Sequence, residues 1–403
     1  MLSSIWSAEA TSFSSLRASR IVGGLAGGLV EALGPGIVVE TFQEHQLARA
    51  MVVYVGLLAA GSSVGPIVAG AVASNLGNWR WFLKILAILF AGNLAGSLVM
   101  LPETTHDNSV METATIYSSD NSHKPHKKER AETENISPVI TDVPVLMQQE
   151  IQELPGSLWN QWVSRSWTLK YVPLHYAECF RNFYRPFQLA ILPQVIASAL
   201  VFGFTIGWTV LASIITATTY GQPPLLWDPR SVGFLSFGPL VGLLIGLPFG
   251  GALADFLFNR SARKSGRIPD PRTRLPAVIL GAAISPIGCV LLGYGLENPE
   301  RWAIVAIGWG MLSFGLTGSA NVLLTYSVHT IPDRADDIGA LINLTKNILA
   351  FAVSYASVSW TARVGALGQF GTMAGLLWFS YLLVIPLWVF SDSLIRWTAK
   401  VYV

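Results

Sequence analysis

Nine apolar stretches of about 20 residues punctuate this chain, and no other feature limits its folding so severely. They run over residues 21–39, 51–73, 82–101, 187–217, 232–254, 277–295, 302–326, 338–359 and 370–390. Each is long enough to cross a hydrocarbon layer about 30 Å thick. Lipid offers no water to an unsatisfied backbone group, so an open segment crosses it only as a helix. The sequence therefore predicts an all-α polytopic membrane protein. Composition agrees, since 12% of the 403 residues are charged against about a quarter in a soluble domain.

Charge orients such a chain through the excess of Lys and Arg in cytoplasmic loops. One alternate set of connections, 40–50, 102–186, 255–276 and 330–337 with the C-terminal tail, holds 18 of the 26 Lys and Arg. The opposite set holds Arg80, Arg230, Arg301 and Arg363. The first set is assigned to the cytoplasm. The decisive vote is DFLFNRSARKSGRIPDPRTRL, because long loops count for little in this rule.

The spans divide unevenly into a helical set at 1–101, a cytoplasmic loop at 102–186, a six-span bundle at 187–392 and a tail at 393–403. The early loop is polar and poor in aromatics and reads as disordered linker. Its end, WNQWVSRSWTLKYVPLHYAECFRNFYRPF, has the aromatic and basic mixture of an amphipathic helix at the membrane face. His106, His123 and His126 sit in the polar part without metal-ligand spacing, so no metal is expected. Two cysteines in loop and span give no disulfide framework. No GxxxxGK[ST] or HExxH occurs and no GxSxG lies at a membrane face, so neither an ATP site nor an enzyme is expected, and no cofactor or nucleic-acid partner.

Four segments carry a family resemblance. RIVGGLAGG from Arg20, GSSVGPIVAG from Gly61, NWRWF from Asn78 and LPET from Leu101 resemble, in order and spacing, helices four to six of major facilitator superfamily transporters, closest to the fungal drug:proton antiporters. The arginine motif Arg-x-x-x-Gly falls on Arg20 and Gly24. The antiporter motif falls on Gly61, Gly65, Pro66 and Gly70, with Ala69 replacing a frequent glycine. GGALADFLFNRSARK, from Gly250, is similar to the charged loop motif between helices eight and nine. PDPRTRL from Pro269 and INLTKNILAF from Ile342 also look like the fungal branch. The resemblance implies a twelve-helix fold in two pseudosymmetric halves with a midplane substrate site. About nine of the twelve helices are legible, and an N-terminally truncated chain lacking helices one to three is the expectation.

An ionisable group at the centre of a span costs about 2.5–3.5 kcal/mol on insertion scales, so each such group is a functional candidate. Glu31 lies near the middle of 21–39 and is the first choice for proton coupling or cation recognition. The bland alternative is a structural ion pair with Arg20 or a polar contact to another helix. Arg20, at the outer end, is implicated in proton transfer by the resemblance, and otherwise is an interfacial anchor. Lys346, with Asn343 and Asn347 at helical spacing, either lines a central cavity or snorkels to the cytoplasmic headgroups. Gln194, Asn321 and Tyr326 are substrate-binding candidates from the second half, with interhelical hydrogen bonding the alternative. Asp255, followed by Arg260 and Arg263, is the candidate gating loop. The glycines and Pro66 of GSSVGPIVAG, weak helix residues in water, read as the packing face of a fifth helix.

The expected function is secondary active transport of a small organic compound, with protons and lipid as the other partners, by proton-coupled export at the plasma membrane or, alternatively, the vacuolar membrane. The rival expectation is a truncated membrane protein that does not transport and is inactive or assists another protein.

Overall fold

Every apolar stretch forms helix in the computed structural model, which describes residues 1–42, 46–100, 176–265, 271–331 and 334–390. The early loop with its three histidines, the start of its aromatic end, LPET and the tail lie outside the described residues. Helix α1 is Leu2–Glu9, α2 Phe13–Thr41, α3 Leu47–Leu76 and α4 Arg80–Met100. After the loop come α5, Tyr176–Gln188, and α6, Pro193–Gly221. A run of α7 (Pro229–Phe234), α8 (Phe237–Leu247), a π turn at Pro248–Leu253 and α9 (Ala254–Ser265) makes the next element. Then follow α10, Val278–Glu297; α11, Trp302–Gly315; a π turn at Leu316–Ala320; α12, Asn321–Thr330; α13, Ala335–Leu382; and α14, Val384–Val389.

Among the described residues, seven helical segments are long and apolar enough to cross a membrane. The seventh, Ala335–Val389, has 55 residues, about 80 Å if straight, far more than one crossing needs. It holds the two predicted stretches 338–359 and 370–390. The break is Gly365, at φ 75° and ψ 166°, a conformation that a Cβ disfavours. Beyond it, the Glu297 carboxylate accepts from the Leu367 N–H at 3.0 Å, giving the second half its own start. The stretch 82–101 lies on α4 as far as Met100. One boundary moves: the stretch predicted from 187 becomes helical span only at Pro193, where proline suits the first helical position.

Residues 1–91 and 174–403 pack as one unit, and 92–173 form another. Of the second unit only the end of α4 is described. In the first, α6 lies against α13, and α10 against both α11 and α13, around Trp208, Leu211, Leu292 and Phe370. Some polar groups inside this bundle are paired between helices. Ser198 and Ser327 share a 2.6 Å hydrogen bond, and Thr317 donates to the Leu243 carbonyl at 3.0 Å. Pro286 has no N–H to offer the Ala282 carbonyl four residues earlier. Trp378 Nε1 supplies the donor instead, at 3.2 Å.

Helix α2 lies against α13, and α3 runs along the α7–α9 element. Here the antiporter motif divides. A Cβ on Gly70 would collide with the Pro229 carbonyl, and one on Gly233 would come within 2.7 Å of the Pro66 carbonyl. A Cβ on Gly61 or Gly65 would meet no other helix within 4 Å. The expected packing face is thus real only at the Gly70 end of the motif. Lys84 reaches Glu9 at 2.9 Å and lies over the Trp81 ring, tying α4 to α1.

Gly70→Val is expected to cost about 1–3 kcal/mol by overpacking, read as a lowered melting temperature of the purified chain in detergent, whereas Gly61→Ala leaves it within a degree or two of the parent.

Candidate functional site

The site is built on a proline. Pro35, inside α2, cannot donate to the carbonyl of Glu31 four residues earlier. A freed carbonyl within a membrane helix needs a partner from elsewhere. Two come. Asn343 Nδ2 of α13 donates at 2.6 Å and Tyr54 Oη of α3 at 3.3 Å. The same residue presents its carboxylate to α13, where Glu31 Oε2 lies 2.6 Å from Lys346 Nζ.

Glu31 is ten residues from the end of α2 at Thr41, and Lys346 eleven from the start of α13 at Ala335. At 1.5 Å per residue both lie about 15 Å from the same ends, near the middle of a 30 Å layer. The Lys346 side chain is 5% exposed and that of Glu31 26%. Lys346 therefore does not snorkel. It enters the core because a carboxylate from the other helical set meets it there. The alternative partner for Glu31, Arg20, lies eleven residues along the same helix, about 16 Å away.

A second cluster joins the two sets at the end assigned to the cytoplasm. Asp255 is fully buried, and its carboxylate oxygens accept from the Ala48 and Arg49 N–H groups at 3.3 and 3.0 Å. These are orphan donors of the first turn of α3, where a negative charge also complements the helix dipole. Arg49 lies 3.7 Å from the same carboxylate, and the fully buried Arg274 lies 3.6 Å from it. Arg274 in turn covers the Phe258 ring at 4.0 Å and meets His329 Nδ1 at 2.6 Å. The three residues of the candidate gating loop are not brought together. Among the described residues, Asp255 pairs with Arg49 and Arg274, while Arg260 and Arg263 stand exposed on α9.

The other predicted residues scatter. Gln194, Asn321 and Tyr326 are buried among packed helices. The main-chain carbonyl of Gln194 accepts from Ser198 of the same helix and from Ser327 of α12. Asn321, oriented to satisfy its amide, meets the Met51 carbonyl and the Val52 N–H of α3, each at 3.2 Å. Asn347 is exposed, one position round the helix from Lys346, and takes no part in the Glu31 cluster. Arg20 is exposed and lines a cavity of about 670 Å³ at the opposite end of the molecule, with Pro66 and Gly70 in the same wall.

Tyr54, Arg49, Arg274 and His329 were missed. A proline four residues after a mid-span glutamate was the available signal for an outside donor to that carbonyl. Nothing marks Arg274 as buried, since it sits in a string of basic residues that reads as a solvated loop.

Ion pairs and backbone-capping polar groups thus link the two sets of helices of a polytopic membrane protein. The sequence profile of the Major Facilitator Superfamily matches residues 1–355. The chain belongs to that superfamily and shares its transporter fold. It is 22% identical to an uncharacterized MFS-type transporter of Schizosaccharomyces pombe, over all of this chain and 72% of that protein. A probable efflux pump, mfs2 of Aspergillus flavus, is 24% identical over 87% of this chain and 74% of its own. The crystal structure of the human organic anion transporter MFSD10 (TETRAN) is similar in fold, at a TM-score of 0.53 and 18% identity, over 95% of this chain and 74% of that one.

A double-mutant cycle checks the central pair. Glu31→Gln and Lys346→Gln are each expected to lower the melting temperature. The double variant should recover part of the loss, with a coupling of about 1–3 kcal/mol.

Proposed function

We propose that the chain is a proton-coupled exporter of a small organic compound, working by alternating access, with Glu31 as the coupling residue and Lys346 as its counter-charge. The observation that carries this reading is the Glu31–Lys346 pair, which joins helices of the two halves near mid-membrane. While Glu31 is ionised the pair draws α2 and α13 together. A proton on Glu31 removes that attraction and leaves a buried ammonium without its counter-charge, which favours separation of the two helices or departure of Lys346 toward water. Loss of the proton restores the pair. Two discrete arrangements biased by one proton are what coupled transport requires.

The contacts on the Asp255 side support the same cycle. Asp255 on the α3 N-terminus and Asn321 on the α3 backbone hold the halves together at that end, while a cavity of about 670 Å³ lies at the other. That arrangement suits a step open to the side opposite the cytoplasm. Export is the favoured direction because of the antiporter motif at 61–70 and the efflux pump among the relatives. The plasma membrane is the favoured site.

The test uses sealed vesicles holding the purified chain, an imposed proton gradient and a panel of fluorescent organic cations and anions. Gradient-driven movement of at least one compound is expected, and Glu31→Gln should abolish the gradient-driven part while leaving exchange of the same compound. Unchanged coupling in that variant removes Glu31 from the mechanism. No movement of any compound by the parent chain would favour the non-transporting reading.

A further inference from the structure

The cavity at the Arg20 end has the volume of a small-molecule site, about 670 Å³ against roughly 300–1,000 Å³ for such sites generally. Its walls come from both halves. Arg20 of α2 and Trp79 and Phe82 at the start of α4 face Thr216 of α6, Trp227 before α7 and Trp309 of α11. Three indoles and a phenyl ring around one cavity offer broad apolar faces on which a planar group can stack.

Two of these walls are polar and unanswered. Thr216 and Trp309 are 2% and 4% exposed, and among the described residues neither Thr216 Oγ1 nor Trp309 Nε1 has a hydrogen-bond partner. Leaving a buried donor unmade costs more than most hydrogen bonds contribute, so such groups call for an explanation. An indole N–H only donates and a threonine hydroxyl can donate. Both suit an oxygen acceptor.

Charge points the same way. Arg20 is the charged residue of the lining. Around the rim, Arg80 and Lys84 lie by the rings of Trp79 and Trp81, and Arg230 by that of Phe234. The acidic neighbours are engaged: Asp228 accepts from Ser74 Oγ and the Arg230 N–H at 3.0 and 3.1 Å, and Glu9 is held by Lys84 at 2.9 Å. The mouth is therefore net basic, and a cleft of one sign gathers ligands of the other.

We infer that this cavity is a binding site for planar aromatic organic anions, with Arg20 holding the carboxylate or equivalent group, Trp79, Trp227 and Trp309 stacking on the ring system, and Thr216 Oγ1 and Trp309 Nε1 donating to its oxygens. The inference rests on the reading of the chain as a transporter only in calling the ligand a substrate; binding itself needs no proton gradient.

Isothermal titration calorimetry on the purified full chain, without a gradient, compares three probes of one shape: 2-naphthoate, 2-naphthylmethanol and 2-naphthylmethylammonium. Naphthoate should bind at least about tenfold tighter than the ammonium compound. Arg20→Gln should erase that preference, and Arg20→Lys should keep most of it. Thr216→Val and Trp309→Phe should weaken naphthoate about three- to tenfold with the melting temperature unchanged. The site is overturned if naphthoate does not bind at millimolar concentration, if the ammonium compound binds as tightly, or if Arg20→Gln leaves the ratio of the two unchanged. Binding that follows this pattern without gradient-driven flux upholds the site and sinks the transport reading, whereas flux without such binding does the reverse.

Discussion

The ion pair between Glu31 and Lys346 is the constraint around which the two helical sets are arranged. Neither charge would be tolerated alone at the middle of a membrane helix, where each costs several kcal/mol. Together they remove most of that penalty, provided that α2 and α13 stay within hydrogen-bonding distance. Pro35 adds a second tie at the same residue, because the carbonyl it leaves without a helical donor is met by Asn343 and Tyr54. One residue thus binds the opposite helix through its side chain and its backbone. The first depends on protonation, and the second does not.

Asp255 does for α3 what Glu31 does for α2. Its carboxylate takes the place of a capping residue at a helix start some 200 residues away in sequence and then adds Arg49 and Arg274. Buried charge of this kind is a poor source of stability, since desolvation offsets most of the attraction. Its use is that the contact is sharply defined, made or not made. A packed apolar seam would slide by degrees. Helices α3 and α7 supply such a seam where Gly70 and Gly233 admit backbone to backbone, so the interface combines a continuous packing surface with discrete polar catches.

How much of this was legible follows from which interactions are local. Helices were legible because apolar length is a property of consecutive residues, and the break at Gly365 falls in the short gap between two predicted stretches. Glu31 and Lys346 were singled out on the cost of charge in lipid and Asn343 on its spacing from Lys346, but their union was not. Pairing across 312 to 315 positions leaves no trace in spacing. The polar groups chosen for substrate contact, Gln194, Asn321 and Tyr326, are all buried, and a helix interface calls for hydrogen bonds for the same reason that a binding site does. Arg260 and Arg263 were chosen for adjacency to Asp255, yet on one helix side chains five and eight positions on need not meet a carboxylate that points into another. Arg274, which does meet it, sits nineteen positions on, brought back by the turn before α10.

Arg20 and Glu31, both on α2, divide the work of coupling on the proposed mechanism. Arg20 opens on a cavity and Glu31 on a counter-charge, about 16 Å apart on one helix, too far for a proton on one to pass directly to a ligand on the other. On the proposed mechanism the link between them is therefore α2 itself. Protonation of Glu31 releases the helix from Lys346 but leaves the Pro35-freed carbonyl tied to Asn343, so the helix pivots about that tie instead of detaching. A helix hinged at its middle moves its ends in opposite directions. Any opening at the Thr41 end is then accompanied by movement of Arg20 against the aromatic wall opposite. Coupling in such a design is mechanical, and the proline that weakens α2 as a helix is what gives it a fulcrum.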